Sequence, residues 1–173
     1  MYTGSTRTVI SISRRRRTGS LLLPAVLIAA MFAVPHWFIV NRTASSAPRG
    51  IYLRTHAPLH RGQLVEACLP HQVALFATSR AYIRSTGRCA DNTEPVIKQI
   101  GGMPGDRVYV SPAFILATDS GGRPMTQAFP GWHRIPAGQI WLDGSARNSF
   151  DSRYFGPLPI ENVNAVLELL WTW

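Results

Sequence analysis

The chain has 173 residues, 46% of them hydrophobic, which suits one domain of modest size with a real core plus appendages. Its formal charge of +9 first suggests nucleic acid, but Arg7 and Arg14 to Arg17 sit in an acid-free stretch of twenty residues. From Arg42 onward thirteen basic residues meet nine acidic ones, a net of +4, and no nucleic-acid module is recognisable.

Residues 1–20 are rich in Ser, Thr and Arg and read as a basic cytoplasmic tail. Residues 21–40 carry no charged side chain. Twenty residues at helical rise reach about 30 Å, the thickness of a bilayer's hydrocarbon core, so a single transmembrane helix is expected. Pro24 lies harmlessly in its first turn, and Pro35 and His36 kink or fray the far end. The four contiguous arginines favour a cytoplasmic N-terminus, while Arg42, Arg49 and Arg54 on the other flank count against it. A cleaved secretory signal is the rival reading. The apolar stretch is too long for one, and a cut after Ala47 would discard Ser46.

Residues 41–173 then form the domain beyond that segment. Asn41 to Arg49 is a polar connector. Beyond it, short apolar runs alternate with Pro/Gly turns at Ile51–Leu53, Gln63–Cys68, Val96–Ile100, Arg107–Val110, Phe114–Ala117, Gln139–Leu142 and Val163–Trp173. This spacing predicts a mainly β, antiparallel domain. Gln72 to Ile83 is the one soluble helix expected, with Val73, Phe76 and Ala77 on one side. Val163–Trp173 is too short to cross a membrane and carries Glu168. Cys68 and Cys89 close a loop of about twenty residues if the domain is exported, worth roughly 3 kcal/mol, and are two free thiols if it is not. With no histidine pair nearby they make no zinc site, so no metal or cofactor is expected.

Three segments carry chemistry. Lys98 is the single lysine against seventeen arginines. In a strand, Val96, Lys98 and Ile100 share one face, so the ammonium is flanked by apolar groups. Burial pulls a lysine pKa toward neutrality, and a neutral lysine is a general base in a way arginine is not. The plainer alternative is an edge-strand lysine snorkelling to water. The second segment is Ser46-Ala47-Pro48-Arg49-Gly50-Ile51-Tyr52, where Pro48 and Gly50 fix a turn that holds the hydroxyl still; otherwise it is a linker. The third, Asn148 to Pro157, packs Asp151, Arg153, Ser149, Ser152 and three aromatics together, or is a loop with a local ion pair. A Ser-His-Asp triad is not indicated, since His56, His60, His71 and His133 fall in expected loops without a local motif.

In this order the three segments resemble one family, the membrane-anchored type I signal peptidases (S26), and within it the conjugative-transfer branch called TraF. The matching pieces are Ser-x-Pro-x-Gly-x-Tyr from Ser46, the Lys98 strand ending in Pro104-Gly105-Asp106, and Asn-Ser-x-Asp-Ser-Arg-Tyr-Phe-Gly-Pro from Asn148. Cys68 with Gly87-x-Cys89, and the absence of a large inserted second domain, also resemble that branch. The resemblance covers roughly residues 15–173.

It implies a signal-peptidase-like antiparallel β domain with Ser46 as nucleophile and Lys98 as general base. Ser149 would orient the lysine. Asp151 and Arg153 would brace the site, Asp151 being counted as catalytically required in the conjugative branch. The Ser46 N–H would meet the oxyanion with one further donor. The chain departs from the family at Ala44, where a hydroxyl is usual, leaving Ser45 or Thr43 as substitutes, and at Ala47, where methionine is usual. Ser45 is also an adjacent alternative nucleophile. The implied protein is single-pass in the inner membrane, with a periplasmic peptidase domain. Its expected substrate is an exported precursor with small residues near the scissile bond, a conjugative pilin subunit above all, with cyclisation of the product in some members. Expected partners are that precursor, the membrane and proteins of the transfer apparatus. The alternatives are a general signal peptidase for secreted proteins and a non-catalytic pilus-assembly scaffold.

Overall fold

A computed structural model of the chain describes residues 24–26, 37–44, 46–125 and 128–173. Residues 24–26 are helical. The rest of the apolar segment lies largely outside the described residues, and among the described residues no helix is long and apolar enough to cross a membrane. Phe38–Val40, expected as the end of that segment, instead belong to a strand. β-branched and aromatic residues there suit an extended pairing.

Among the described residues nine strands follow in chain order: β1 (Phe38–Asn41), β2 (Gly50–Thr55), β3 (Leu64–Ala67), β4 (Val96–Gly102), β5 (Arg107–Val110), β6 (Gly131–Arg134), β7 (Gln139–Asp143), β8 (Leu158–Pro159) and β9 (Val163–Thr172). Seven form an antiparallel sheet in the order β1-β2-β9-β3-β4-β7-β8. β5 and β6 make a separate two-stranded ribbon. The expected antiparallel β architecture is therefore present.

Six of the seven expected runs are strands. Phe114–Ala117 is not. It starts in a 3-10 turn, Pro112–Phe114, because Pro112 fixes its backbone and Ser111 caps the N-H of Ala113. Among the described residues beyond Val40, two α-helices occur where one was expected. α1 (His71–Ser79) is shorter than expected and buries Ala74 and Ala77. It ends where Ala81 takes a positive φ of 57°. α2 (Ser152–Phe155) is a single turn inside the third chemical segment.

The core lies between the sheet and α1. Val65, Leu69, Ala74, Ile100, Leu142 and Leu158 are among its buried members. Gly50 has a different task from the one its sequence context suggests. A Cβ there would overlap the carbonyl oxygen of Trp171, so glycine allows β2 and β9 to pair closely. Cys68 and Cys89 form a disulfide. It ties the chain just after β3 to the segment that leads into β4.

Candidate active site

Strand alternation decides the fate of Lys98. Val96, Lys98 and Ile100 are all buried on one face of β4, while Gln99 points out. Lys98 is 4% exposed. Val65 lies opposite it on β3. A snorkelling lysine on an edge strand is thereby replaced by an amine inside the domain.

Ser46 arrives from the turn between β1 and β2. That turn is held by its own carbonyls. Asn41 Nδ2 donates to Ala47 O at 3.0 Å and to Pro48 O at 2.9 Å, and the Tyr52 hydroxyl donates to Pro48 O at 2.7 Å. Ala47 is buried and Ser46 half-buried. Lys98 Nζ donates to Ser46 Oγ and to Ser149 Oγ, both at 2.6 Å. Two serines that lie 52 and 51 positions from the lysine in sequence thus meet at its one nitrogen.

Ser149 is placed by the loop between β7 and α2. Its N–H donates to Ala146 O at 3.0 Å. A Cβ on Gly144 would overlap Ser149 Oγ, so this close approach requires glycine. Two residues on, Asp151 caps α2 and is fully buried. It accepts from Arg153 Nε at 2.8 Å, Arg153 Nη2 at 2.7 Å, Arg153 N at 3.2 Å and Gly144 N at 3.0 Å. The bidentate fork fixes geometry as well as charge. Arg153 also donates to the carbonyls of Ser149, Arg147 and Phe114. The pair therefore holds the backbone that carries Ser149. Asp151 makes no hydrogen bond to Lys98 among the described residues. Ser152 is buried too, and its hydroxyl accepts from Leu142 N at 2.9 Å, docking α2 on β7.

Burial pulls the Lys98 amine from its ordinary 10.5 to about 8. The charge of Asp151 opposes this fall and that of Arg153 adds to it. Nearby, burial raises the Asp143 carboxyl, the Asp151 charge raises it further, and Trp141 Nε1 donating at 3.0 Å counters both.

Ser46, Lys98 and Ser149 open onto a cleft of about 310 Å³, lined also by Thr43, Val96, Ile97, Leu116 and Phe150. Thr43, one candidate for a second oxyanion donor, is at this cleft. Ser45, the other candidate and the adjacent alternative nucleophile, lies outside the described residues. Among the described residues no group of three His, Cys, Asp or Glu side chains could hold a metal ion.

The histidines differ in part from the sequence expectation. His133 is in β6, half-buried, with its ring stacked on Trp141 at 5.5 Å. His71 opens α1 beside Asp91 at 3.6 Å. His56 and His60 are exposed. Sequence reasoning missed Asn41, Tyr52 and Gly144. The Tyr52 signal was within reach, since a tyrosine ending the Ser46 box invites a partner for its hydroxyl. Asn41 carries no local pattern, because its role depends on how the chain folds back.

The model of the family described as signal peptidase, peptidase S26, matches residues 15–173. A conjugal transfer protein TraF of Agrobacterium fabrum is 36% identical over 78% of this chain and 82% of its own length. A probable conjugal transfer protein TraF of Sinorhizobium fredii is 31% identical over 95% of this chain and 97% of its own. A mitochondrial inner membrane protease subunit 1 of Schizosaccharomyces pombe is 36% identical over 47% of this chain and 45% of its own. With this agreement across nearly its whole length, the chain belongs to the S26 signal peptidase family and resembles most fully its conjugal-transfer TraF proteins.

Proposed function

We propose that the protein is a serine endopeptidase that cleaves an exported precursor through Ser46 and Lys98. The observation that carries this reading is the buried Lys98 amine within 2.6 Å of both Ser46 Oγ and Ser149 Oγ. A lysine that bonds two serine hydroxyls and, among the described residues, no carboxylate, and whose amine is held near 8, is available as a base close to neutral pH.

In its neutral form Lys98 accepts the Ser46 hydroxyl proton as Oγ attacks the scissile carbonyl. The Ser46 N–H and a second donor meet the oxyanion. The ammonium returns its proton to the leaving amine, and the tetrahedral adduct collapses to an acyl-enzyme. Water, deprotonated by Lys98, then releases the new carboxylate. If a chain's own amino group attacks in place of water, the product is a cyclic peptide. Ser149 keeps Nζ aimed at Ser46. Asp151 supports the site through Arg153, through the Gly144 N–H and through its charge, which opposes the loss of the Lys98 proton.

The substrate we favour is a conjugative pilin precursor, supported by similarity to conjugal transfer proteins over most of both chains. The apolar segment at 21–40 would anchor the chain with its N-terminus in the cytoplasm and residues 41–173 in the periplasm, beside other transfer proteins. The Cys68–Cys89 disulfide supports an oxidising compartment. A general signal peptidase is the second reading, favoured by the partial similarity to the mitochondrial protease. A non-catalytic scaffold is disfavoured by the contact between Ser46 and Lys98. Co-expression with a candidate pilin precursor and mass spectrometry of the product tests the proposal. Cleavage that vanishes in Ser46→Ala supports it. Identical products from wild type and Ser46→Ala would sink it. Alkylation of Cys68 and Cys89 before any reductant is added would remove the compartment assignment.

A further inference from the structure

The cleft has a second fixed point that the proposed chemistry does not use. Asp119 lies in the segment between β5 and β6, and its carboxylate is 3% exposed. Its Oδ2 accepts from Tyr82 Oη at 2.8 Å, Arg123 Nε at 2.8 Å and Arg80 Nη1 at 3.2 Å. Its Oδ1 accepts from the N–H groups of Gly121 and Arg123, both at 2.9 Å. Two further bonds run between the same two segments: Arg80 Nη2 donates to Pro124 O and Arg123 Nη2 to Arg80 O, each at 2.9 Å.

Arg80 and Tyr82 follow α1; Asp119 and Arg123 precede β6. The cluster clamps two segments that are distant in sequence. Tyr82, Leu116, Asp119 and Met125 line the cleft that also contains Ser46 and Lys98. The Tyr82 ring lies 5.3 Å from that of Phe150, the neighbour of Ser149. At the start of the same loop, Leu116 N donates to the Tyr154 hydroxyl and Arg153 Nη1 to Phe114 O, both at 2.9 Å. The wall is therefore tied down at both ends.

We propose that the Asp119 clamp fixes this wall and thereby sets the size of the substrate side chain that the cleft accepts beside the cleavable bond. The inference rests on the peptidase reading of Ser46 and Lys98. A free loop would adapt to large and small side chains alike. A loop held by charge-assisted hydrogen bonds to a buried carboxylate yields only if those bonds break. Arg80, Tyr82, Asp119 and Arg123 are thus positioning residues that act through the wall.

The test uses the full chain in detergent and peptides that differ only in Ala, Leu or Phe before the cleavable bond. Affinities are read by fluorescence anisotropy in a Ser46→Ala background, and KM and kcat with Ser46 intact. One methylene in a snug pocket changes discrimination by about tenfold, so wild type should favour Ala over Phe by at least that factor. Asp119→Ala should bring the ratio toward one, raise KM for the Ala peptide and leave the pH dependence of kcat in place. Arg80→Gln removes the bonds to Asp119 and to Pro124 O, and Tyr82→Phe those to Asp119 and to Met125 Sδ; both keep the carboxylate and serve if Asp119→Ala unfolds, and each should shrink the ratio. An unchanged ratio in folded Arg80→Gln and Tyr82→Phe would overturn the proposal. So would a fall in kcat with the ratio preserved, which is what a purely structural role gives. A chain whose clamp-dependent binding persists while no peptide is cleaved would refute the peptidase reading and support the clamp.

Discussion

Two buried charges line one cleft, and their partners give them opposite fates. The Asp119 side chain is 3% exposed, and Lys98 as a whole residue 4%. Burial disfavours the charged form of both. For Asp119 that effect alone would raise the carboxyl, yet the Arg123 N–H, the Tyr82 hydroxyl, the Arg123 guanidinium and the Gly121 N–H together hold it well below the ordinary range. Lys98 has two serine hydroxyls as neighbours, and there burial prevails. A buried charge surrounded by opposite charge is locked and serves structure. One whose direct partners are neutral hydroxyls keeps its proton loosely and, on the peptidase reading, serves chemistry.

The harshest break of that contrast is to lock the cleft's cation. Lys98→Arg keeps a permanent charge, and Lys98→Ala and Ser46→Ala remove the pair's members. Each should lower kcat on the order of 10⁴–10⁶-fold, and the double alanine variant should be little worse than either single one, because the two act as a unit. Single-turnover rates on a precursor peptide decide this. Full activity in Lys98→Arg would exclude a neutral lysine base. The wild-type kcat/KM should rise with pH and level off above about 8, where Lys98 has lost its proton. A profile flat from about pH 5 to 9 would assign the base to another group.

A second break concerns the other buried carboxyl side chain, that of Asp151. Asp151→Asn leaves Arg153 with its charge partly buried and its fork unmatched. Breaking such a pair costs on the order of 3–5 kcal/mol. Turnover should fall together with the melting temperature, because the same guanidinium holds the carbonyl of Ser149 at 3.1 Å. An inactive variant that melts like wild type would instead place Asp151 in the chemistry. An active variant with normal melting refutes both roles.

Much of this site is legible along the chain because its parts are local. Strand period two places Lys98 between Val96 and Ile100 on the buried face. Asp151 and Arg153 are two residues apart and find each other within one turn. The short strands announce themselves by apolar runs between turn residues. β1, β6 and β8 do not, since β8 is two residues long and Gly131 and Pro130 mask β6. Phe38–Val40 continue an apolar run without a break, so periodicity alone gave no boundary there. The Asp119 clamp was invisible for a different reason. Its partners Tyr82 and Arg80 lie 37 and 39 positions away, and an Asp-Ser-Gly-Gly-Arg sequence reads as an ordinary turn.

The mildest test leaves the site intact and reads the energetic consequence of holding Lys98 loosely. The unfolded chain binds the Lys98 proton up to about 10.5, and the folded chain only up to about 8. Above 10.5 neither state holds the proton, and the buried amine carries no penalty. As pH falls through this interval the unfolded state takes up a proton that the folded state resists, so stability drops. Below about 8 both states are protonated and the folded one bears a buried cation. The interval corresponds to about 3 kcal/mol at 1.36 kcal/mol per pKa unit. Lys98→Met keeps the apolar stem and removes the titration. The stability of wild type minus that of Lys98→Met, from denaturant curves, should therefore climb between about pH 8 and 10. Using the difference cancels other groups such as Tyr82, whose hydroxyl is raised by burial and by Asp119. Asp119→Asn should leave the slope of that difference unchanged, since Asp119 bonds Tyr82, Arg80 and Arg123 while Lys98 bonds Ser46 and Ser149. A difference independent of pH would mean that Lys98 is charged in the folded protein as firmly as Asp119, and the contrast between the two would collapse.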